Sequence, residues 1–232
     1  MKIAVIPARG GSKRIPRKNI KNFLGKPIIA YSIETAITSG IFDKVIVSTD
    51  DDEIVQVAKK YGAEVPFIRP KTLADDYTGT NDVVKHTINQ LIEEGVDIDY
   101  VCCIYATTPL LEARFLKEGF EKLKNTGKAF VFSVTSFPSP IQRAIKIKDG
   151  KVSMFFPEHS MTRSQDLEEA YHDAGQFYWG KASSFLNDQE LFSSRSYAVV
   201  LPRDLVQDID SMEDWRKTEL MYEAIQQKKD IK

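Results

Sequence analysis

Few of the residues that announce a chemistry on their own are abundant here. The 232 residues include two cysteines, three histidines and two tryptophans. Cys102 and Cys103 are adjacent, so a strand points them to opposite faces. That speaks against a disulfide and for two small apolar side chains in a reducing cytoplasm. His86, His159 and His172 lack the spacing of a zinc site. No apolar run approaches a membrane span, and Met1-Lys2 leads straight into a strand with no signal-peptide core, so no membrane partner is expected. Charge excess is missing too. The 33 acidic residues face 32 basic ones, a net charge of −1, which argues against a general nucleic-acid binder. Internal repeats and low-complexity segments are absent. Neither Gly-x-x-x-x-Gly-Lys-Ser/Thr nor Gly-x-Gly-x-x-Gly occurs, which sets aside a P-loop and an NAD-dependent oxidoreductase.

What is present is an ordinary globular composition, 42% apolar and 28% charged, in a chain long enough to bury a large core. It opens on the apolar run Ile3–Ile6, of the kind that makes a buried strand. The run then breaks into a loop, residues 7–19, holding Gly10 and Gly11, two prolines and five cations: Arg9, Lys13, Arg14, Arg17 and Lys18. Backbone freedom at the glycines and the charge around them suit an anion such as a triphosphate, although a charge run is also an ordinary solvated loop.

Along the chain, helical patterns over Pro27–Ile37 (ended by Gly40), Asp50–Gly62, Asn81–Glu94 and Glu112–Lys124 alternate with apolar runs. The runs are Val45–Thr49, Ala63–Ile68, Tyr100–Tyr105 and Ala129–Val134. Such alternation predicts an α/β domain with a mostly parallel sheet covered by helices on both faces. Ligands of such sheets lie beyond the carboxyl ends of the strands. The opening loop, Thr49-Asp50, the segment Arg69–Thr80 and Ala106–Leu110 all fall there. After Ser136 the pattern changes. Ala144–Met154 reads as a hairpin with an Asp149-Gly150 turn, and residues 157–171 are polar and irregular. The excursion over 137–171 reads as a subunit-contact or lid element, or as a surface insertion. Strands are expected again at Gly175–Trp179 and Ala198–Leu201, and Ser211–Asp214 has the form of a capping box for a last helix reaching about Gln227. Asp208 and Asp210 flank Ile209, so in an extended segment both carboxylates project to one side and can share a Mg²⁺; capping of the following helix is the other reading.

The opening Ala-Arg-Gly-Gly-Ser-Lys with its Pro-x-Lys-Asn, residues 8–19, resembles that of the acylneuraminate cytidylyltransferases, which activate sialic-acid-like sugars. Ser48-Thr49-Asp50, Arg69-Pro70, Thr107-Thr108-Pro109-Leu110 and Asp208-Ile209-Asp210 follow in that family's order, over nearly the whole chain. Residues 162–167 with 171–180 look like the family's pseudaminic acid branch, because Asp173-Ala174-Gly175 departs from the Asn-Gly-Ala/Ser type of the sialic acid enzymes.

The resemblance implies a three-layer Rossmann-like nucleotidyltransferase fold in one domain, 1–232, with a dimerisation element at about 137–171. It implies transfer of CMP from CTP to the anomeric hydroxyl of a nine-carbon 2-keto acid sugar, for surface glycan or flagellin glycosylation, in a cytoplasmic homodimer. The sugar alternatives are N-acetylneuraminate, legionaminate and the eight-carbon Kdo; the alternative of another class is a non-catalytic nucleotide-binding assembly protein. Arg9, Gly10, Gly11, Ser12 and Lys13 would hold the triphosphate, with Lys18 and Asn19 finishing the cradle. Ala8, Arg69, Ala74 and Thr80 would surround the cytosine, while Asp208 and Asp210 would bind Mg²⁺. Ala106, Thr107, Gln176 and Tyr178 would line the sugar pocket. Arg163 would meet the sugar carboxylate across the subunit boundary, or stand as an exposed loop arginine.

Overall fold

The computed structural model describes residues 1–230. In chain order its elements are β1 (Lys2–Pro7), β2 (Asn22–Phe23), β3 (Lys26–Pro27), α1 (Ile28–Ser39), β4 (Lys44–Ser48), α2 (Asp52–Lys60), α3 (Thr80–Glu93) and β5 (Tyr100–Ile104). They continue with α4 (Ala113–Thr126), β6 (Phe130–Ser136), β7 (Ile145–Lys148), β8 (Lys151–Met154), β9 (Tyr171–Lys181), α5 (Ala182–Leu186), β10 (Ser196–Val200) and α6 (Met212–Asp230).

Six strands form the central sheet in the order β10-β6-β9-β5-β1-β4. β4, β1 and β5 are mutually parallel, β6 and β10 likewise, and β9 runs antiparallel to both β5 and β6. Strand composition explains the burial: Ile3–Ile6, Val45–Val47 and Val101–Ile104 are apolar on both faces, as a sheet covered twice requires. One face packs Ile29, Ile33 and Ala36 of α1, Ile54 and Ala58 of α2, and Phe115, Leu116 and Leu123 of α4. The other packs Val84, Ile88 and Leu91 of α3 and Phe185 of α5. The adjacent cysteines of β5 divide between these layers, Cys102 into the first and Cys103 into the second, and both are free thiols.

The third expected strand, 63–68, is the one element that does not form. Glu64 makes a single parallel bridge to Ile46, with its carbonyl taking Val47 N–H at 2.9 Å. Pro66 follows two residues later without an N–H to continue the ladder. The 144–154 hairpin forms as β7–β8 around Asp149 and Gly150, at φ 50° and 74°, the paired positive values of a type I′ turn. It packs none of its β7 side chains into the core.

A third, smaller cluster joins the ends of the chain: Ile15 of the opening loop, Phe23 of β2, Ile28 and Tyr31 of α1, Ile209, and Trp215 of α6. Phe23 meets Tyr31, Trp215 and Tyr222 edge to face at 5.3–5.9 Å. Ser211 and Asp214 start α6 as the expected capping box: Ser211 N–H donates to Asp214 Oδ2 at 2.8 Å, and Asp214 N–H to Ser211 Oγ at 3.2 Å.

Candidate active site

A cleft of about 520 Å³ opens at the carboxyl end of β1. The opening loop contributes Arg9, Gly11, Ser12, Lys13, Arg14, Lys18 and Asn19 to its wall, Arg69 comes from the chain between α2 and α3, Thr80 from the start of α3, and Ala106 and Thr107 follow β5. Ala8 lies just beneath, buried, with its N–H on the Ser48 carbonyl at 2.9 Å. Ala74 ends the short turn over Lys71–Leu73 and does not line the cleft, although its neighbours Leu73 and Asp75 do.

The loop is held by acidic residues of the β4–α2 connection. Gly10 N–H donates to Asp50 Oδ1 at 2.9 Å, and a Cβ at Gly10 would stand 2.6 Å from Asp51 Oδ2. Close approach is therefore what demands glycine at position 10, whereas Gly11 has open space around its Cα. Arg17 sits in the left-handed region at φ 56° and grips Asp51 with both terminal nitrogens, at 2.5 and 2.8 Å. Asp51 in turn caps α2 by accepting from Glu53 N–H and Ile54 N–H. The Arg17 bond holds the Asp51 carboxyl below the usual carboxylate range. Of the five loop cations, Arg17 is thus a strut to α2 rather than a lining residue.

The other cations face carboxylates that line or edge the cleft. Asp76 bridges Arg9, at 2.8 Å, and Lys13, while Arg9 also donates to the Asp75 carbonyl. Arg14 pairs with Asp210 at 2.6 Å. Lys18 donates to the Ile209 carbonyl at 2.7 Å, and desolvation pulls its ammonium below its ordinary pKa despite the nearby Asp210 and Asp208. Asn19 donates to the Arg9 carbonyl at 2.9 Å and closes the loop on itself. Arg69 is the exception. It is 3% exposed, its nearest carboxylate is Asp50 at 3.8 Å, and its Nε has no partner. Burial lowers its pKa, and a buried guanidinium with an open donor is poised for a ligand.

Ile209, 1% exposed, plugs into the third cluster, while Asp208 before it is exposed and Asp210 after it half-buried. Partial desolvation, then the charge of Asp210, pushes the Asp208 carboxyl above the ordinary range. Like charges under such strain are what a cation relieves. No group of three or more His, Cys, Asp or Glu gathers at a metal-holding distance among the described residues. The pair alone suits Mg²⁺, which takes one or two carboxylates and fills its remaining positions with phosphate oxygens and water.

The late residues divide. Tyr178 lines a second cavity of about 330 Å³ that adjoins the cleft and shares Thr80 and Tyr105 with it. Gln176 is buried instead, with Nε2 on the Leu205 carbonyl at 2.6 Å and Oε1 unpartnered. Arg163 is exposed on the excursion and paired with Asp166 at 2.7 Å. Asp50, Asp75, Asp76 and Tyr105 were not singled out by residue type. Their signal was position, in the loops that topology gathers at one end of the sheet.

A cationic cradle with a buried arginine beside it at the carboxyl end of β1 fits a nucleoside triphosphate. The model of the cytidylyltransferase family matches residues 3–228. The chain belongs to the cytidylyltransferase family. This cytidylyltransferase is 50% identical, over 96% of both chains, to the pseudaminic acid cytidylyltransferase of Campylobacter jejuni. It is 34% identical to the CMP-N,N'-diacetyllegionaminic acid synthase of Legionella pneumophila, over 97% of both chains. Among solved structures, a CMP:2-keto-3-deoxy-manno-octonic acid synthetase complexed with CTP superposes with a TM-score of 0.69 at 16% identity, covering 95% of this chain and 97% of the other. That likeness is one of fold. The enzyme is a nucleotidyltransferase.

Proposed function

We propose that this cytidylyltransferase transfers CMP from CTP to the anomeric hydroxyl of pseudaminic acid, releasing pyrophosphate. The observation that carries the reading is the convergence of Arg9, Lys13, Lys18 and buried Arg69 on one cleft, joined to a near-full-length 50% identity with a pseudaminate enzyme. In the reaction the sugar hydroxyl attacks the α-phosphorus in line, its proton is lost, and the bond from the α-phosphorus to the α,β-bridging oxygen breaks with pyrophosphate as the leaving group, so the protein's work is positioning and neutralising charge. Arg9 and Lys13 exchange Asp76 for triphosphate oxygens, Ser12 and the Gly10–Gly11 backbone border them, and Lys18 with Asn19 keeps the loop closed. Arg69 offers its open Nε–H to the cytosine, with Ala8, Ala74 and Thr80 around the base. Asp208 and Asp210 would hold Mg²⁺, which would supply Lewis-acid chemistry to the reaction. Ala106 and Thr107 open the sugar site, Tyr178 lies on its far side, and Gln176 supports it from beneath through Leu205.

The enzyme works as a cytoplasmic homodimer joined through the 137–171 excursion. Support comes from the hairpin's apolar surface: Ile147 and Val152 are 70% and 64% exposed, and Ile145 and Phe155 stand open beside them. Such an arm brings Arg163 to the partner's sugar carboxylate, where a guanidinium binds with two hydrogen bonds.

Pyrophosphate release with CTP and Mg²⁺, measured against pseudaminate, N-acetylneuraminate, legionaminate and Kdo, tests the assignment. Pseudaminate gives the highest kcat/KM. A preference for neuraminate defeats it.

A further inference from the structure

Asp188 holds a left-handed backbone, φ 49°, just past the end of α5. Its N–H donates to the Phe185 carbonyl at 3.2 Å, and Gln189 N–H donates to the Ser184 carbonyl at 3.1 Å. Those paired bonds make a Schellman ending, whose left-handed position usually belongs to glycine. Glycine would take that turn with no Cβ penalty. What aspartate adds is its carboxylate. Oδ1 accepts Asn81 Nδ2 at 2.9 Å and Oδ2 accepts Lys85 Nζ at 2.5 Å, so one exposed side chain ties the turn to two residues of α3.

The tie reaches the second cavity. Asn81 lines that cavity, whose wall is largely apolar through Phe130, Phe185, Leu191 and Phe192, and it does not line the cleft. A carboxylate only accepts hydrogen bonds, so the end of the Asn81 amide that faces Asp188 is its NH₂. The carbonyl Oδ1 is the other end, and no protein group among the described residues donates to it.

We propose that Asn81 contacts the acceptor sugar through Oδ1, and that Asp188 is its positioning residue, holding the amide so that a carbonyl rather than an NH₂ meets a hydroxyl or amide N–H of the sugar. The inference rests on the reading that the acceptor is a nonulosonic acid, which is rich in such donors. It gives a reason for a strained, exposed aspartate at a position that backbone geometry alone would assign to glycine.

The test is a double-mutant cycle. Asp188→Gly removes the carboxylate and relieves the backbone, so the Asn81 amide turns freely while the thermal midpoint stays within about 4 °C of wild type. The expected result is a sugar KM raised about three- to tenfold, the worth of one hydrogen bond, with the KM for CTP moving less than about twofold. Asp188→Asn tolerates the left-handed backbone and keeps an oxygen for Asn81 Nδ2, so it restores most of the wild-type sugar KM. Asn81→Ala raises the sugar KM at least as much as Asp188→Gly, and the double variant loses nothing further, because Asp188 acts through Asn81. An unchanged sugar KM in Asp188→Gly, or equal shifts in the KM of sugar and CTP, overturns the proposal. Losses that add in the double variant overturn it too, by placing the effect of Asp188 in the following segment with Leu191 and Phe192. The assay uses whichever nonulosonic acid the wild-type enzyme prefers, so a different preferred sugar defeats the pseudaminate assignment and leaves the test of Asp188 in force.

Discussion

Ile209 touches no substrate, yet its truncation is expected to reach the chemistry. The side chain is 1% exposed and packs with Ile15 of the opening loop and Trp215 of α6. Ile209→Ala leaves a cavity in a small cluster that has few neighbours able to collapse into it. Isoleucine-to-alanine changes of this kind cost about 2–5 kcal/mol. For a domain of this size each kcal/mol lowers Tm by about 2–4 °C, so a mid-range loss of about 3 kcal/mol lowers it by about 6–12 °C. The local effect is the more telling one. Ile209 also presents the carbonyl that holds Lys18, and it separates the two carboxylates, so loosening it lets Asp208 and Asp210 drift from the cradle. The Mg²⁺ concentration giving half-maximal pyrophosphate release therefore rises, by about tenfold if one metal–ligand bond is weakened by about 1.4 kcal/mol. Leu123→Ala, buried against the sheet far from the loop, is the control: it costs similar stability and leaves the Mg²⁺ requirement alone. Thermal unfolding followed by circular dichroism, paired with a Mg²⁺ titration of turnover, reads both effects. A Tm shift under about 2 °C for Ile209→Ala, or equal Mg²⁺ shifts in both variants, refutes the reasoning.

Two further outcomes follow from the charges around the cleft. Asp76→Asn frees Arg9 and Lys13 from the carboxylate that bridges them, so the KM for CTP falls several-fold in steady-state assays; a rise would show that Asp76 helps to hold the nucleotide instead. Asp208→Asn abolishes Mg²⁺-dependent turnover while raising the Tm of the metal-free protein at pH 7. The sign follows from the raised folded-state pKa: ionising Asp208 disfavours the fold, so its stabilising contribution is present below the ordinary value of 3.8 and is lost as pH rises through the folded value. Near pH 3 the difference in Tm between variant and wild type shrinks toward zero, and a constant difference across pH 3–7 would refute that cause.

The alternation of apolar runs and helical patterns was legible because a doubly covered parallel strand must be apolar on both faces. Runs such as Val45–Val47 and Val101–Ile104 carry that signature in their composition. Direction was not legible. Gly175–Trp179 reads the same whichever way it enters the sheet, and its antiparallel course depends on partners 46 to 77 residues away. Residues 63–68 had the composition of a strand but not the donors, because Pro66 interrupts the ladder. In the site, the cationic loop was readable as an anion cradle, yet charge count alone gave Arg17 the same standing as Arg9. Only the fold shows Arg17 turned onto Asp51. The partners of Arg9 and Lys13 were hidden for the same reason, since pairing across 63 to 67 residues leaves no periodic trace.

β9 lies in the middle of the sheet although it is one of the last strands to be synthesised. Until residues 171–181 arrive, β5 and β6 have no partner between them, and each presents an open apolar edge, Tyr-Val-Cys-Cys-Ile on one side and Phe-Val-Phe-Ser-Val on the other. The two halves of the sheet therefore join late, by insertion of a central strand, before β10 adds at the border. A nascent chain paused before residue 171 leaves β6 without a partner on either side and β5 open on one, so truncation or slow synthesis there aggregates this protein more readily than a comparable interruption near β10, which adds only a border strand.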